Sequence, residues 1–67
     1  MKIKYFEDTD TAHMEFSDSP VSETREISEN LYIDLDDIGN LVGMTVEHAS
    51  VRANISEFTF QRIAGEG

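Results

Sequence analysis

The most regular pattern in the chain lies between Leu31 and Val46, where apolar and polar residues alternate on both sides of a turn-forming cluster at residues 36–40. An alternation with a period of two is typical of a β-strand that has one buried side and one solvent-facing side. Two such runs separated by a cluster of Asp, Gly and Asn predict a β-hairpin. The chain is therefore predicted to be built around a small antiparallel sheet.

The same alternation recurs along the rest of the chain. It predicts a mainly β fold of the small α+β kind, an antiparallel β-meander of about five strands at residues 2–6, 12–17, 21–27, 31–36 and about 41–47. The third strand has no apolar residue between 22 and 26, so we expect it at an exposed edge, where charge discourages association between sheets. Gly43 lies inside the fifth strand, which suggests a β-bulge or close packing by a neighbour.

The last third of the chain fits two interpretations. Residues 49–54 suit a turn or two of helix, and residues 58–63 are aromatic and alternating, which favours a final strand. A single helix over residues 50–63 also fits, because Val51, Ile55 and Phe58 share one helical face. We favour a short helix followed by a strand, and we expect the tail at residues 64–67 to fray.

The length of the chain limits its core. Its 67 residues have room for one domain, residues 1–67, and a core of this size contributes only about 3–5 kcal/mol. Cysteine is absent, so neither a disulfide nor a thiolate-bound metal can add stability. We therefore expect a partner subunit, and hence a homodimer. The predicted core consists of Met14, Phe16, Ile33, Leu35, Val42, Met44 and Val46.

The charge of the chain narrows the possible partners. Its 14 acidic and 5 basic residues give a net charge of −9, which repels nucleic acids and anionic membranes. Two interpretations remain: the charge serves solubility, or it attracts a basic protein partner. No apolar run approaches the ~20 residues of a membrane-spanning helix. The first residues lack the apolar block of a signal peptide, so we expect a cytoplasmic protein.

The Asp-rich hairpin is the first candidate for a metal site. Asp34, Asp36 and Gly39 occupy positions one, three and six of a calcium-binding loop, but Ile38 and Thr45 stand where oxygen ligands are required. On a strand, Asp34 and Asp36 would point to the same solvent-facing side and attract a cation only loosely. We therefore expect a solvated hairpin whose Asp residues shape the turn, and no cofactor.

Other site chemistry has little support in the sequence. His13 and Glu15 share the outer side of the second strand, His48 lies at the junction with the helix, and nothing in their spacing makes three or four ligands converge. No serine lies in a G-x-S-x-G motif, and there is no glycine-rich phosphate loop. We therefore predict surface histidines and no enzymatic activity.

Several short blocks of the chain form a recognisable series. The blocks are Tyr5 with Asp8, D-T-A at 10–12, M-E-F-S at 14–17, E-T-R-E at 23–26, and L-Y-I-D-L-D-D-I-G-N-L-V-G-M-T-V at 31–46 followed by Ala49 and Ser50. In their order they are similar to the uncharacterised bacterial "domain of unknown function 2283" family, over roughly residues 1–52. Phe6, His13 and Met14 depart from the family pattern, which leaves the expected fold unchanged.

The resemblance implies a compact β-meander with a short C-terminal helix, and it assigns no activity, cofactor or catalytic residue. Some family members accompany small toxin-like proteins, which implies an antitoxin-like partner. Two functional hypotheses result. The first is a non-enzymatic interaction module with a basic partner; the second is a cation- or small-molecule-binding protein that uses Asp34, Asp36, His13 or Glu15.

Overall fold

The computed structural model describes residues 1–54, 56–57 and 59–65, and over these residues the chain forms one antiparallel sheet and one short helix. The predicted mainly β fold with a short C-terminal helix is confirmed. The elements are β1 (Lys2–Phe6), β2 (Thr11–Glu15), β3 (Glu23–Ser28), β4 (Leu31–Leu35), β5 (Leu41–Glu47) and α1 (Ala49–Arg52).

The strand order is β1-β2-β5-β4-β3, which differs from the order of a continuous meander. β1 and β2 form one hairpin, β3 to β5 form a three-stranded meander, and β5 joins the two by pairing with β2. Pro20, in the connection between β2 and β3, cannot donate a ladder hydrogen bond, so the chain leaves the sheet there. The result places the apolar β5 at the centre.

β3 lies at one edge of the sheet, as its charged sequence predicts. All six of its residues are exposed. On the edge, Arg25 Nε lies 2.9 Å from Glu23 Oε2, and the two form an exposed ion pair. The strand begins at Glu23, two residues later than predicted, after Ser22 N–H donates to the carbonyl of Leu35 at 2.8 Å.

The cross-strand register separates the side chains into two faces, because successive residues of a strand point to opposite sides. We call the two sides the apolar face and the polar face. The register assigns to the apolar face Ile3, Tyr5, Ala12, Met14, Leu31, Ile33, Leu35, Met44 and Val46, together with Glu23, Arg25 and Ser28 of the edge strand β3. It assigns to the polar face Lys2, Lys4, Phe6, Thr11, His13, Glu15, Thr24, Glu26, Tyr32, Asp34, Gly43, Thr45 and Glu47.

Gly43 allows the strands to approach closely on the polar face. A Cβ at this position would lie 2.9 Å from the carbonyl oxygen of Met14 and 3.2 Å from Oδ2 of Asp34. The register between β4 and β5 shifts next to it, between Asp34 and Leu35. The bulge and the close packing that the mid-strand glycine predicts are therefore both present.

The helix α1 is a single turn, and the chain after it is irregular. Residues 59–63 are neither strand nor helix, so neither the predicted final strand over 58–63 nor the long helix over 50–63 forms across its described residues. Phe58 and Ile55 lie outside the described residues. Local hydrogen bonds explain why the helix stops, because Asn54 Oδ1 accepts from the backbone N–H and the hydroxyl of Ser56.

The core is smaller than the sequence predicts. Among the described residues, the buried apolar side chains are Ala12, Leu35, Val42 and Ala49. Leu35 and Val42 were expected there, whereas the remaining predicted core residues are only half-buried. The physical reason is the architecture: a single sheet buries its apolar face only when a second layer packs on it, and the described part of the chain supplies only one turn of helix.

Candidate functional site

The polar face has an acidic half that spans β3, β4 and β5. Glu26 on β3, Asp34 on β4 and Glu47 on β5 share this side of the sheet, and Glu29 lies in the turn between β3 and β4. We call these four carboxylates the acidic patch. Three of them, Glu26, Glu29 and Glu47, are close enough to act on Tyr32, which pairs with both Glu26 and Thr45 in the register.

The pKa of the Tyr32 hydroxyl is affected by the carboxylates around it. The negative charge of Glu47 is the largest cause that raises the pKa of the Tyr32 hydroxyl above its usual 10.0, and the charges of Glu26 and Glu29 act in the same direction. A phenol near several carboxylates resists losing its proton because a second negative charge would be repelled. Desolvation and a hydrogen bond with Glu47 also raise this pKa. Glu26, Glu29 and Glu47 therefore place negative charge around Tyr32.

The opposite edge of the polar face is basic. Lys2 and Lys4 both project there from β1, and Lys4 Nζ lies 3.7 Å from Glu15 Oε1 in an exposed ion pair. Exposed pairs of this kind contribute at most about 1 kcal/mol to stability. Lys4 balances the charge of Glu15, and the other carboxylates that the register places on this face belong to the acidic patch.

Between the two edges lies a depression of about 290 Å³ above Gly43, and His13, Glu15 and Asp34 line it. Gly43 has no side chain, so its backbone forms part of the floor of the depression. His13 Nδ1 hydrogen-bonds to Oγ1 of Thr45 at 2.9 Å, and the Thr24 hydroxyl donates to Oδ1 of Asp34 at 2.7 Å. The two polar side chains are therefore held in place by their neighbours on the sheet.

Three of the four predicted site residues thus meet in this depression, and the fourth does not. Asp36 belongs to the β4–β5 turn, where its Oδ1 accepts the backbone N–H groups of Ile38 at 3.1 Å and Asn40 at 2.7 Å. This is the turn-shaping role that the sequence predicts for the Asp residues of the hairpin. Within the described residues, no group of three or more His, Asp or Glu side chains is arranged to hold a metal ion.

The histidines have different environments. His48 is exposed, as predicted, and takes up a left-handed backbone conformation with φ of 54° just before α1. His13 is half-buried, so the prediction of a surface histidine is too simple at this position. Its place on the inner strand β2, with Thr45 of β5 beside it, accounts for the burial.

Tyr5, Asp10 and Ser50 form a hydrogen-bond cluster that their spacing in the sequence did not predict. The Tyr5 hydroxyl donates to Oδ1 of Asp10 at 2.6 Å. The backbone N–H of Ser50 donates to the same oxygen at 3.0 Å, and the Ser50 hydroxyl donates to Oδ2 at 2.7 Å. The carbonyl of Asp10 also accepts the N–H of Ala49 at 2.9 Å. The Asp10 cluster therefore ties α1 to the turn between β1 and β2.

The hydrogen bonds of the Asp10 cluster shift the pKa values of its members. The hydrogen bond from Tyr5 is the largest cause that lowers the pKa of Asp10, and the Ser50 hydroxyl adds to it. The same bond raises the pKa of Tyr5. The only sequence signal for the cluster was that all three residues belong to the family blocks.

Residues 2–50 match the family model described as "Protein of unknown function (DUF2283)". The chain belongs to this family. The DUF2283 match covers all five strands and ends at Ser50, so the sheet and the Asp10 cluster lie inside the matched segment. No curated protein and no solved structure matches the chain.

The description of the DUF2283 family names no activity. In the described part of the chain, no helix has the length and apolar character needed to cross a bilayer. The sheet presents three distinct surfaces, which are the acidic patch, the depression above Gly43 and the apolar face.

Proposed function

We propose that this chain is a non-enzymatic protein-interaction module whose acidic patch binds a basic protein partner. The observation that carries the proposal is that Glu26, Asp34 and Glu47 lie on one side of the sheet with Glu29 in the adjoining turn. The charges of Glu47, Glu26 and Glu29 are among the causes that raise the pKa of the nearby Tyr32 hydroxyl. Complementary charge steers encounter and selects partners. A module that covers a basic partner in this way acts in an antitoxin-like manner.

Two further features support a protein partner over other ligands. The net charge of −9 opposes binding to nucleic acids, whose phosphates repel a surface of the same sign. The acidic patch extends across three strands of a rigid sheet, which suits an extended surface better than a small ligand, because small ligands favour enclosed pockets.

The test is capture of a partner from the native host with three forms of the full chain as bait. The wild type is compared with a patch variant, Glu26→Gln, Glu29→Gln and Glu47→Gln. The matched control, Glu7→Gln, Asp8→Asn and Asp37→Asn, removes the same number of charges from turns outside the patch. We expect the wild type and the control to retain a basic protein in stoichiometric amount, and the patch variant to lose it.

Salt provides the second criterion. Surface electrostatic attraction is screened over a Debye length of about 8 Å at physiological ionic strength, so the captured protein should be released as salt rises. Equal capture by all three baits, or no stoichiometric partner at either low or moderate salt, would contradict the proposal.

A second candidate function is binding of a cation or a small polar molecule in the depression above Gly43. The observation that favours it is that His13, Glu15 and Asp34 line the same depression. Titration calorimetry with calcium, magnesium, zinc and nickel tests it, with His13→Gln as the comparison. Heats equal to dilution for all four metals would remove the cation form of this candidate.

A further inference from the structure

We propose that a second copy of this chain covers the apolar face, so that two sheets pack face to face as a homodimeric sandwich. This inference goes beyond the proposed function, because it concerns the opposite side of the sheet from the acidic patch. It commits to an isologous arrangement, in which the same residues of both copies meet across a two-fold axis.

The centre of the apolar face is where the missing cover is most evident. β5 is the middle strand of the sheet, yet Met44 and Val46 on it are only half-buried. Their cross-strand neighbours Met14 and Ile33 are half-buried too. Residues at the centre of a sheet are normally buried on the side that faces the core, so the described part of the chain supplies no full second layer for this face.

The surface area of the chain gives the same result. A compact monomer of 7.6 kDa should expose roughly 4,300 Å². This chain exposes 5411 Å², an excess of about 1,100 Å², to which the irregular C-terminal segment also contributes. A standard interface buries about 800 Å² on each partner. The excess is large enough to include one such interface beside the contribution of the C-terminal segment.

The charge distribution favours a second copy over the basic partner on this face. The charged residues that the register places on the apolar side are Glu23 and Arg25, which pair with each other at 2.9 Å. Two such faces can meet without opposing like charges. Because packed sheets lie about 10 Å apart, the two acidic patches would point outwards, separated by more than a Debye length of about 8 Å.

The large apolar residues that the structure describes in the C-terminal segment are mostly exposed and do not cover the face. Phe60 and Ile63 are its large apolar residues among those described, and they are 69% and 78% exposed. Met14 and Met44, which pair at the centre of the face, suit a self-complementary surface. Their unbranched side chains adapt to irregular gaps between layers.

Sedimentation equilibrium of the full chain tests the dimer. We expect a mass of twice 7.6 kDa at micromolar concentration. Met44→Lys should raise the dimer Kd by roughly 30-fold or more, because it places an unpaired ammonium group in an apolar interface. The matched control is Ile38→Lys, which makes the same change of charge at a turn residue that is 77% exposed. It should leave the Kd within about threefold of the wild type, as surface changes usually have small effects.

Two further measurements keep the test decisive if Met44→Lys fails to fold. Circular dichroism shows whether the variant retains its sheet. NMR of the wild type, mixed from isotope-labelled and unlabelled chains, should show intermolecular contacts from the methyl groups of Met14 and Met44. The proposal is overturned by a monomer at micromolar concentration, or by contacts from these methyl groups to Phe60 or Ile63 of the same chain alone.

Discussion

The polar face and the apolar face belong to the same five strands, yet their side chains are held in different ways. On the polar face, His13 is bonded to Thr45 and Thr24 to Asp34. On the apolar face, Met14 and Met44 are adjacent and have only packing to order them. Side-chain hydrogen bonds within the chain hold the centre of the polar face, whereas the centre of the apolar face is the part that the proposed second copy would cover.

This contrast predicts that changes on the polar face alter stability or local electrostatics, and that changes on the apolar face alter association. Substitutions on the polar face and in the Asp10 cluster are therefore expected to leave the oligomeric state unchanged. A change in oligomeric state would connect the two sides of the sheet.

The largest effect is expected for Gly43→Ala. The added Cβ would meet the Met14 carbonyl oxygen at 2.9 Å, and backbone atoms of an inner strand cannot easily move away. We expect a loss of about 1–3 kcal/mol in the free energy of unfolding, which is typical of overpacking, measured by urea denaturation at a fixed chain concentration.

Gly65→Ala is the control for this prediction, because nothing lies within 4 Å of a Cβ built there. It should change the free energy of unfolding by no more than about 0.5 kcal/mol. Equal stabilities for the two variants would show that the close approach at Gly43 does not constrain the sheet.

A smaller effect is expected for Asp10→Asn, and it should depend on pH. The folded state lowers the pKa of Asp10 below its usual 3.8, chiefly through the Tyr5 hydroxyl and then through Ser50. A lowered pKa contributes stability that is fully present above the unfolded value and is lost as the pH falls through the folded value. Wild type should therefore be more stable than the variant at neutral pH, and the difference should shrink below about pH 4.

Thermal melts at a series of pH values measure this difference. Asp37→Asn, in the exposed β4–β5 turn, makes the same chemical change outside the Asp10 cluster and serves as the control. A wild-type advantage over Asp10→Asn that stays constant into strong acid would contradict the role of the Asp10 carboxylate.

The smallest effect is a local one on Tyr32. Glu47→Gln removes the largest cause that raises the pKa of the Tyr32 hydroxyl, so this pKa should move down towards 10.0 without a change in fold. The chain has 2 tyrosines, so the ultraviolet titration is made in a Tyr5→Phe background. Asp37→Asn should leave the titration unchanged, and an equal shift in both variants would mean that the field is not concentrated at the acidic patch.

The local pattern of apolar, polar and charged residues along the chain predicted much of the fold. The alternation around residues 31–46 located β4 and β5, and the charged run at residues 22–26 placed β3 at an edge. The pairing of β2 with β5 could not be read in this way, because it joins residues distant along the chain. The expected strand over 58–63 shows the same limit: alternation describes a side-chain pattern, but a strand also needs a neighbouring strand to pair with.

For the candidate sites, too, the sequence predicted positions along strands but not the contacts between distant residues. His13, Glu15 and Asp34 were identified from their positions on strands, but only the register brings them to one depression. Tyr5, Asp10 and Ser50 meet because the turn after β1 and the end of β5 lie together, which spacing does not reveal. The burial of Met14 and Met44 was predicted from periodicity, whereas their actual exposure depends on a second layer that a single sheet does not contain.

Binding at the acidic patch and dimerisation through the apolar face are expected to respond to salt in opposite directions. The salt dependence of the dimer Kd is therefore the most direct test. Sedimentation equilibrium of the wild-type chain at about 0.05 M and 0.5 M salt compares conditions in which charge is weakly and strongly screened. Because each copy carries −9 and the proposed interface is apolar, the dimer Kd should fall severalfold as salt rises. A monomer at both salt concentrations, or a dimer that dissociates as salt rises, would contradict the account of the apolar face as the surface that a second copy completes.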